Sequence, residues 1–368
     1  MKNLLNETAV QHIADCFSAV DKNFNHPEFC QQALQGLNTL ELKQRVNHII
    51  EVLHRFLPSD FQQTSELLKL LPKVWQQQDP NKQVSNFAAW PVIDYASVYG
   101  LAHPQQSLEV LKTLTPLFSA EFAIRAFIID HSEYCHSQFK LWVKDDSEHV
   151  RRLVSEGTRP RLPWGLQLKR YMADPSPNIP LLAALKDDPS LYVRRSVANH
   201  LNDISKDNPD KLLEICQAWH VNASKHVLWI IKHATRSLVK AGDAQVLRLL
   251  GYEQSVALKP VKLNITNSQV KLGDYLEFDF ELHSTSSESQ NLVIDFAIHF
   301  VKANGQQKAK VFKLKSIELG AKQSNKIQKR HGIKVITTRQ YYAGTHLLEI
   351  LINGLGVASQ EFELSKQI

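Results

Sequence analysis

The stretch SEGTRPRLPWG, residues 155–165, places one carboxylate, two fixed cations and a large aromatic side chain on a backbone stiffened by two prolines. The residues are Glu156, Arg159, Arg161 and Trp164, set around Pro160 and Pro163. The preceding KDDSEHVRRLV reads as helix. Val150 and Val154 are four apart, so the helix runs to about Ser155, and Gly157 is a natural residue to end it in a left-handed turn. The prolines forbid helix beyond that point and restrict the residues before them to extended conformations. Glu156 therefore falls at a helix C-terminus, where the helix dipole gives a carboxylate no support. That placement hints at function. The plainer alternative is a junction whose Trp packs into the core and whose Arg neutralises Glu156.

Other groups of chemical residues are weaker. Asp130, His131, Glu133, Cys135 and His136 crowd one helical stretch, and His131 and Cys135 are four apart. No second ligand cluster accompanies them, so neither a metal nor a cofactor is expected. The chain has no Gly-rich phosphate loop, GxSxG or HExxH. HATR (233–236), with Lys240 beyond it, sets His233, Arg236 and Lys240 on adjoining turns of one helix. That is either a basic stripe or a solvated face.

The elements that must position these residues change character near residue 258. Before it, apolar residues recur at helical spacing. In LELKQRVNHIIEVLHRFL (40–57), Leu42, Val46, Ile49, Leu53 and Leu57 share a stripe, and Pro58 stops the run. SLEVLKTLTPLF (107–118) and HVLWIIKHATRSLVKAG (226–242) behave alike, the latter ending at Gly242. After 258, YLEFDFELH (275–283) alternates as a half-buried strand does, and NLVIDFAIHFV, KVFKLKSIEL and HLLEILING follow. Short, regularly spaced strands of this kind predict an antiparallel immunoglobulin-like sandwich.

The helical half repeats itself. KDDSEHVRRLV (144–154) recurs as KDDPSLYVRRSV (186–197), EFAIRAFI (121–128) echoes the V/I-R pattern, and HVLWIIKHATRSLV is a distant copy. A helix-pair unit with an Asp-rich turn, at a period near 40, fits HEAT-type repeats stacked into a curved solenoid. The expected fold is thus multidomain α + β: a HEAT-like α-solenoid over 1–257, then an all-β immunoglobulin-like sandwich over 258–368. One Asp and one Arg per repeat commonly pair to hold the stack, which accounts for Arg151 and Arg194. Arg152 and Arg195 are less easily absorbed, and contact with phosphate is the alternative.

The charge of +6 is uneven. Residues 1–257 hold 28 Lys/Arg against 27 Asp/Glu, and 258–368 hold 15 against 10. Within 302–339 there are eleven Lys/Arg and one acid, Glu318. Such a block is a solvated face or suits a polyanion. The four cysteines (Cys16, Cys30, Cys135, Cys216) show no zinc or redox spacing and read as reduced thiols. No signal-like run opens the chain and no stretch is long and apolar enough to span a membrane, so a cytoplasmic, monomeric protein is expected.

Together, SLEVLKTLTPLFSAEFAIRAFI, VRRLVSEGTRPRLPWG, DDPSLYVRRSVANHLNDISKDNPD and IKHATRSLVKAGD resemble the AlkC-type DNA alkylation-repair glycosylases, part of the HEAT-like repeat superfamily that also contains AlkD. The resemblance covers roughly residues 35–250. It implies a base-excision-repair hydrolase that cuts the N-glycosidic bond of cationic N3-methylated bases, 3-methyladenine and 3-methylcytosine, in duplex DNA. It implies no metal or cofactor, and work from the sugar side without base flipping. A cationic base leaves as a neutral molecule, so the difficulty lies in the oxocarbenium-like sugar, which carboxylates and an aromatic face stabilise. The resemblance assigns that role to Glu156, Glu121, Asp203 and Trp164. Arg152, Arg159, Arg161, Arg195, Arg236 and Lys240 are then candidates for DNA contact. So are Lys308, Lys310 and Lys313, if the basic sandwich closes on the duplex as a clamp. The alternatives are a non-catalytic HEAT-repeat scaffold and a structure-specific DNA-binding protein.

Overall fold

Helical and alternating periods separate along the chain in a computed structural model, which describes residues 2–336 and 340–365. Arg339, which closes the basic block, lies outside the described residues. Sixteen α-helices among those residues run from α1 (Glu7–Val20) to α16 (Ala244–Leu249), and eight strands from β1 (Leu263–Ile265) to β8 (Leu355–Ser365). The chain divides into two compact units, Met1–Asn208 with Asn222–Ile231, and Pro209–Val221 with Lys232–Ile368. Among the described residues, no helix is long and apolar enough to cross a membrane. All four cysteines are free.

Periodicity located the helices well where a cap agreed with it. α3 (Leu42–Phe56) opens on a capping box between Glu41 and Gln44, buries Val46, Ile49 and Leu53, and stops before Pro58. The run 226–242 is not one helix. It breaks at Thr235 into α14 (Lys225–Ala234) and α15 (Arg236–Ala241). At the break Arg236 Nη1 donates to the His233 carbonyl at 2.5 Å. Gly242 ends α15 with φ 75°, as expected.

The repeat is visible as one hydrogen-bonded device used twice. α9 (Glu148–Gly157) and α12 (Leu191–Ile204) each follow an Asp-rich turn, and they pack on one another. Asp145 accepts from the Ser147 amide and Asp188 from the Ser190 amide, both at 2.9 Å. Arg151 Nη1 donates to the carbonyls of Asp145 and Asp146, and Arg194 Nη1 to those of Asp188 and Pro189. Arg151 also grips Asp188 of the next turn at 2.6 and 3.0 Å. Arg151 therefore ties one turn to the next, whereas Arg194 caps the carbonyls of its own turn.

Gly157 does not play the part its position suggested. It lies within the last turn of α9 without a positive φ. Its use is close approach: a Cβ there would stand 2.6 Å from Ile124 Cγ2 on α7 (Ile124–Asp130). The left-handed residue of the segment is Trp164, at φ 65°.

In the second unit, β1, β3 (Tyr275–His283) and β6 (Ser324–Gly332) form one sheet. The other has the order β2-β8-β7-β4-β5, with β2 Gln269–Lys271, β4 Gln290–Val301, β5 Gln307–Leu319 and β7 Gly344–Ile352. Phe278, Phe280, Phe296, Phe300 and Phe362 lie in their common core. The pairings are antiparallel except β2 with β8, which is parallel, so the expected wholly antiparallel sandwich is corrected there. Hairpin connections alone would give antiparallel neighbours; β2 and β8 come from opposite ends of the domain.

Candidate active site

Glu121, Glu156 and Asp203 come from three separate helix ends. Glu121 sits in the turn before α7, Glu156 in the last turn of α9 and Asp203 in the last turn of α12. Two guanidinium groups join them into a chain. Arg152 Nη1 donates to Glu121 Oε2 at 2.9 Å, and its Nη2 lies 3.6 Å from Glu156 Oε1. Arg159 Nη1 donates to Glu156 Oε1 at 2.6 Å, and its Nε to Asp203 Oδ2 at 2.8 Å. Lys206 Nζ closes the chain on Asp203 Oδ1 at 2.7 Å. Glu156 also accepts from the Ser196 hydroxyl at 2.6 Å, and Glu121 from the Ser119 hydroxyl at 2.7 Å.

Burial grades the three acids. The side chain of Glu121 is 15% exposed, that of Glu156 6% and that of Asp203 2%. Burial disfavours the Arg152 cation, but Glu156 and Glu121 outweigh it and hold that guanidinium above its ordinary range. Burial works against Arg159 as well, and Glu156 with Asp203 likewise prevails. Behind them His200 is fully buried, its Nδ1 against the Ser155 carbonyl at 2.9 Å. Burial pushes its imidazole down to about 4, so it is neutral at pH 7. Tyr192 lies under Arg152, 4.6 Å from guanidinium carbon to ring centroid.

The loop 158–168 carries the aromatic. Gly165 N–H donates to the Leu162 carbonyl and Leu168 N–H to that of Pro160, which folds the loop on itself. Trp164 projects from it, 69% exposed. It is therefore not the core residue that the plainer reading of this segment expected. That reading is right about Arg159, which neutralises Glu156. Arg161 is held by Asp207 through two bonds of 2.7 and 2.6 Å.

Three of the cations expected at phosphate, Arg152, Arg159 and Arg161, are thus engaged by carboxylates of their own unit. The spacing in sequence could place them near Glu156 but could not show that Asp203 and Asp207 reach back over more than forty residues. Ser196 and Lys206 were not anticipated. Lys206 carries a signal, an i,i+3 partner for Asp203; Ser196 carries none. Arg195 is exposed. Arg236, Lys240 and Lys313 line one cleft of about 60 Å³ together with Asp295. Burial pushes the Asp295 carboxyl up, against the pull of Lys313 and Lys240. Lys308 and Lys310 lie opposite Phe300 and Ile298 across the β4–β5 ladder, on the other face of β5 from Lys313. With Lys302 they line a second groove, of about 600 Å³. The lysines of β5 are therefore split between two faces of an edge strand, while Lys326, Lys329 and Arg330 of the same block lie on β6 in the other sheet. Of the two residues whose spacing alone could suit a metal, His131 turns Nε2 to the Leu101 carbonyl at 2.9 Å and Cys135 is buried.

Comparison with known proteins bears on the fold and the family. Residues 259–366 match the family described as uncharacterised protein YhaZ, C-terminal Ig-like domain. The chain is 35% identical to the Bacillus subtilis (strain 168) protein called uncharacterized protein YhaZ, over 99% of each. It is 40% identical to the Pseudomonas fluorescens alkylpurine DNA glycosylase AlkC, solved bound to DNA containing an abasic site analog. That match covers 99% of both chains with a TM-score of 0.91. A helical half carrying three linked carboxylates, an immunoglobulin-like half, and full-length likeness at this identity place the chain in the family of AlkC-type DNA glycosylases.

Proposed function

We propose that the protein is a DNA glycosylase of base excision repair. It hydrolyses the N-glycosidic bond of cationic N3-methylated bases, 3-methyladenine and 3-methylcytosine, in duplex DNA. The observation that carries this reading is the continuous chain Glu121–Arg152–Glu156–Arg159–Asp203, with Trp164 exposed on the loop that follows Glu156. A scaffold for peptides has no use for three carboxylates wired together at helix ends. A reaction passing through a sugar cation does.

In this reading the carboxylates stabilise positive charge as it develops at C1′. Glu121, the most exposed of the three, orients the attacking water, while Glu156 and Asp203 supply a fixed field from a drier position. Trp164 packs its face on the deoxyribose and attracts the same developing charge. The base leaves from the stack, reached from the sugar side without flipping. Arg195 contacts phosphate, as do Arg236, Lys240 and Lys313 around their shared cleft, and Lys308 and Lys310, on the other face of β5, are the sandwich's clamp on the duplex. The protein acts as a monomer.

The test is base release from a methylated duplex, followed as free 3-methyladenine and alkali-labile sites. Glu156→Gln keeps the shape and the Ser196 contact but removes the charge, and it is expected to lower the rate about 100-fold or more while still binding DNA. Absence of any released base with the unmodified protein sinks the reading, and full activity in Glu156→Gln removes Glu156 from the mechanism.

A further inference from the structure

Arg125 occupies the place in its repeat that Arg151 and Arg194 occupy in theirs, yet it does something else. Those two cap carbonyls five and six residues earlier in the chain. Arg125 instead reaches forward. Its Nη1 donates to the Gly157 carbonyl at 2.9 Å and its Nε to the Leu166 carbonyl at 2.5 Å. Those two carbonyls are the two ends of the segment that carries Arg159, Arg161 and Trp164. The side chain is fully buried, and its Nη2 has no hydrogen-bond partner among the described residues. A residue serving only the core would be apolar there, since a buried charge with an unpaired donor is costly.

The loop also rests on the stem of this side chain. A Cβ on Gly165 would stand 3.4 Å from Arg125 Cδ and 3.0 Å from Leu162 Cδ2. One residue earlier, Trp164 has φ 65°, a left-handed backbone that a residue with a side chain keeps only when its surroundings impose it. Gly157, whose carbonyl Arg125 holds, directly follows Glu156.

We propose that Arg125 is a positioning residue that clamps both ends of the loop 157–166 and thereby fixes Trp164 relative to Glu156. It touches neither DNA nor the reacting atoms. The consequence for base release rests on the glycosylase reading above; the clamp itself does not.

The experiment uses the full chain carrying Arg125→Met or Arg125→Lys. Three quantities are read: single-turnover release of 3-methyladenine, affinity for a duplex with a tetrahydrofuran abasic site, and amide hydrogen exchange of 157–168. Arg125→Met is expected to slow release about 100-fold, change affinity less than about threefold, and raise exchange at Gly165 and Leu168 but not in the β-sandwich. Arg125→Lys keeps the charge and can serve one carbonyl, so it recovers about tenfold of the lost rate. Unchanged rate and exchange in either variant overturns the proposal. So does a uniform rise in exchange with Arg125→Lys no better than Arg125→Met, the mark of a packing residue alone. If Arg125→Met does not fold, the Arg125→Lys arm decides, with unchanged rate and exchange as the overturning result. If the unmodified protein releases no base, the glycosylase reading fails while the exchange measurement still judges the clamp.

Discussion

Arg159 separates two readings of the site. As a phosphate contact it would be dispensable for folding. As the bridge between Glu156 and Asp203 it is not. Its side chain is 9% exposed, and the two carboxylates it joins are 6% and 2% exposed. Removing one member of a buried ion pair costs about 3–5 kcal/mol, because the other charge is left uncompensated. Here Glu156 keeps Ser196 and Asp203 keeps Lys206, so the lower end, about 3 kcal/mol, applies to Arg159→Met. At 2–4 °C per kcal/mol for a unit of this size, the melting temperature falls by roughly 6–12 °C. Arg159→Lys falls between, since one ammonium cannot replace Nε and Nη1 on two carboxylates at once. The assay is thermal unfolding, paired with duplex affinity as a function of salt. A variant that melts like the unmodified protein but loses affinity, with a slope of log K against log salt shallower by about 0.9, would show a phosphate contact and refute the bridge.

Two further outcomes follow from the same structure. His200 is neutral when folded and its imidazole is held down to about 4, whereas the unfolded chain takes a proton near 6.5. Below about 6.5 the unfolded state binds more protons, so stability drops as pH falls towards 4, by up to about 3 kcal/mol from this residue. His200→Asn flattens that part of the urea-stability profile, and an unaltered profile contradicts the assignment. Lys308→Gln with Lys310→Gln neutralises one face of β5 and leaves Lys313 on the other. If this face meets the duplex at two phosphates, the salt slope becomes shallower by about 1.8 without loss of melting temperature. No change in slope assigns those lysines to guarding an exposed strand edge instead.

Fold and site were not equally legible in the sequence. Helix α3 and strand β3 follow from local period and capping, because one buried face and one stop signal decide them. The repeat was legible because the same Asp-turn chemistry is written twice, at 145 and at 188. Glu156 stands out by its place at a helix C-terminus, Glu121 and Asp203 only through family likeness, and nothing in their local spacing predicts that the three join. Arg152 joins Glu121 to Glu156, and Arg159, placed three residues from one carboxylate and forty-four from another, joins Glu156 to Asp203. Long-range pairing of this kind leaves no periodic trace. Arg125 illustrates the same limit from the other side. Its local pattern, Ile-Arg, matches that of Arg151 and Arg194, and only the position of the Gly157 and Leu166 carbonyls distinguishes it.

The pairing of every acid with a cation raises a physical question for the proposed chemistry. Glu121, Glu156 and Asp203 face Arg152, Arg159 and Lys206, so the ionic chain as a whole carries little net charge. Net charge is not what a sugar cation requires. Each carboxylate oxygen that accepts from a guanidinium keeps a second lone pair; turned to C1′, it makes the ion pair an oriented dipole that needs no reorganisation as the cation forms. Three like charges brought together without counter-ions would instead repel and move apart. The same cations set a limit on substrate. Glu156 and its neighbours hold Arg152 and Arg159 above their ordinary range, and His200 is neutral and buried, so none of the three can give a proton to a leaving base at pH 7. Where these groups give no proton, a base that carries its own positive charge is the one that can leave as a neutral molecule. In the proposed reaction, a preference for cationic alkylated bases would rest on how the carboxylates are held and would need no base-shaped pocket.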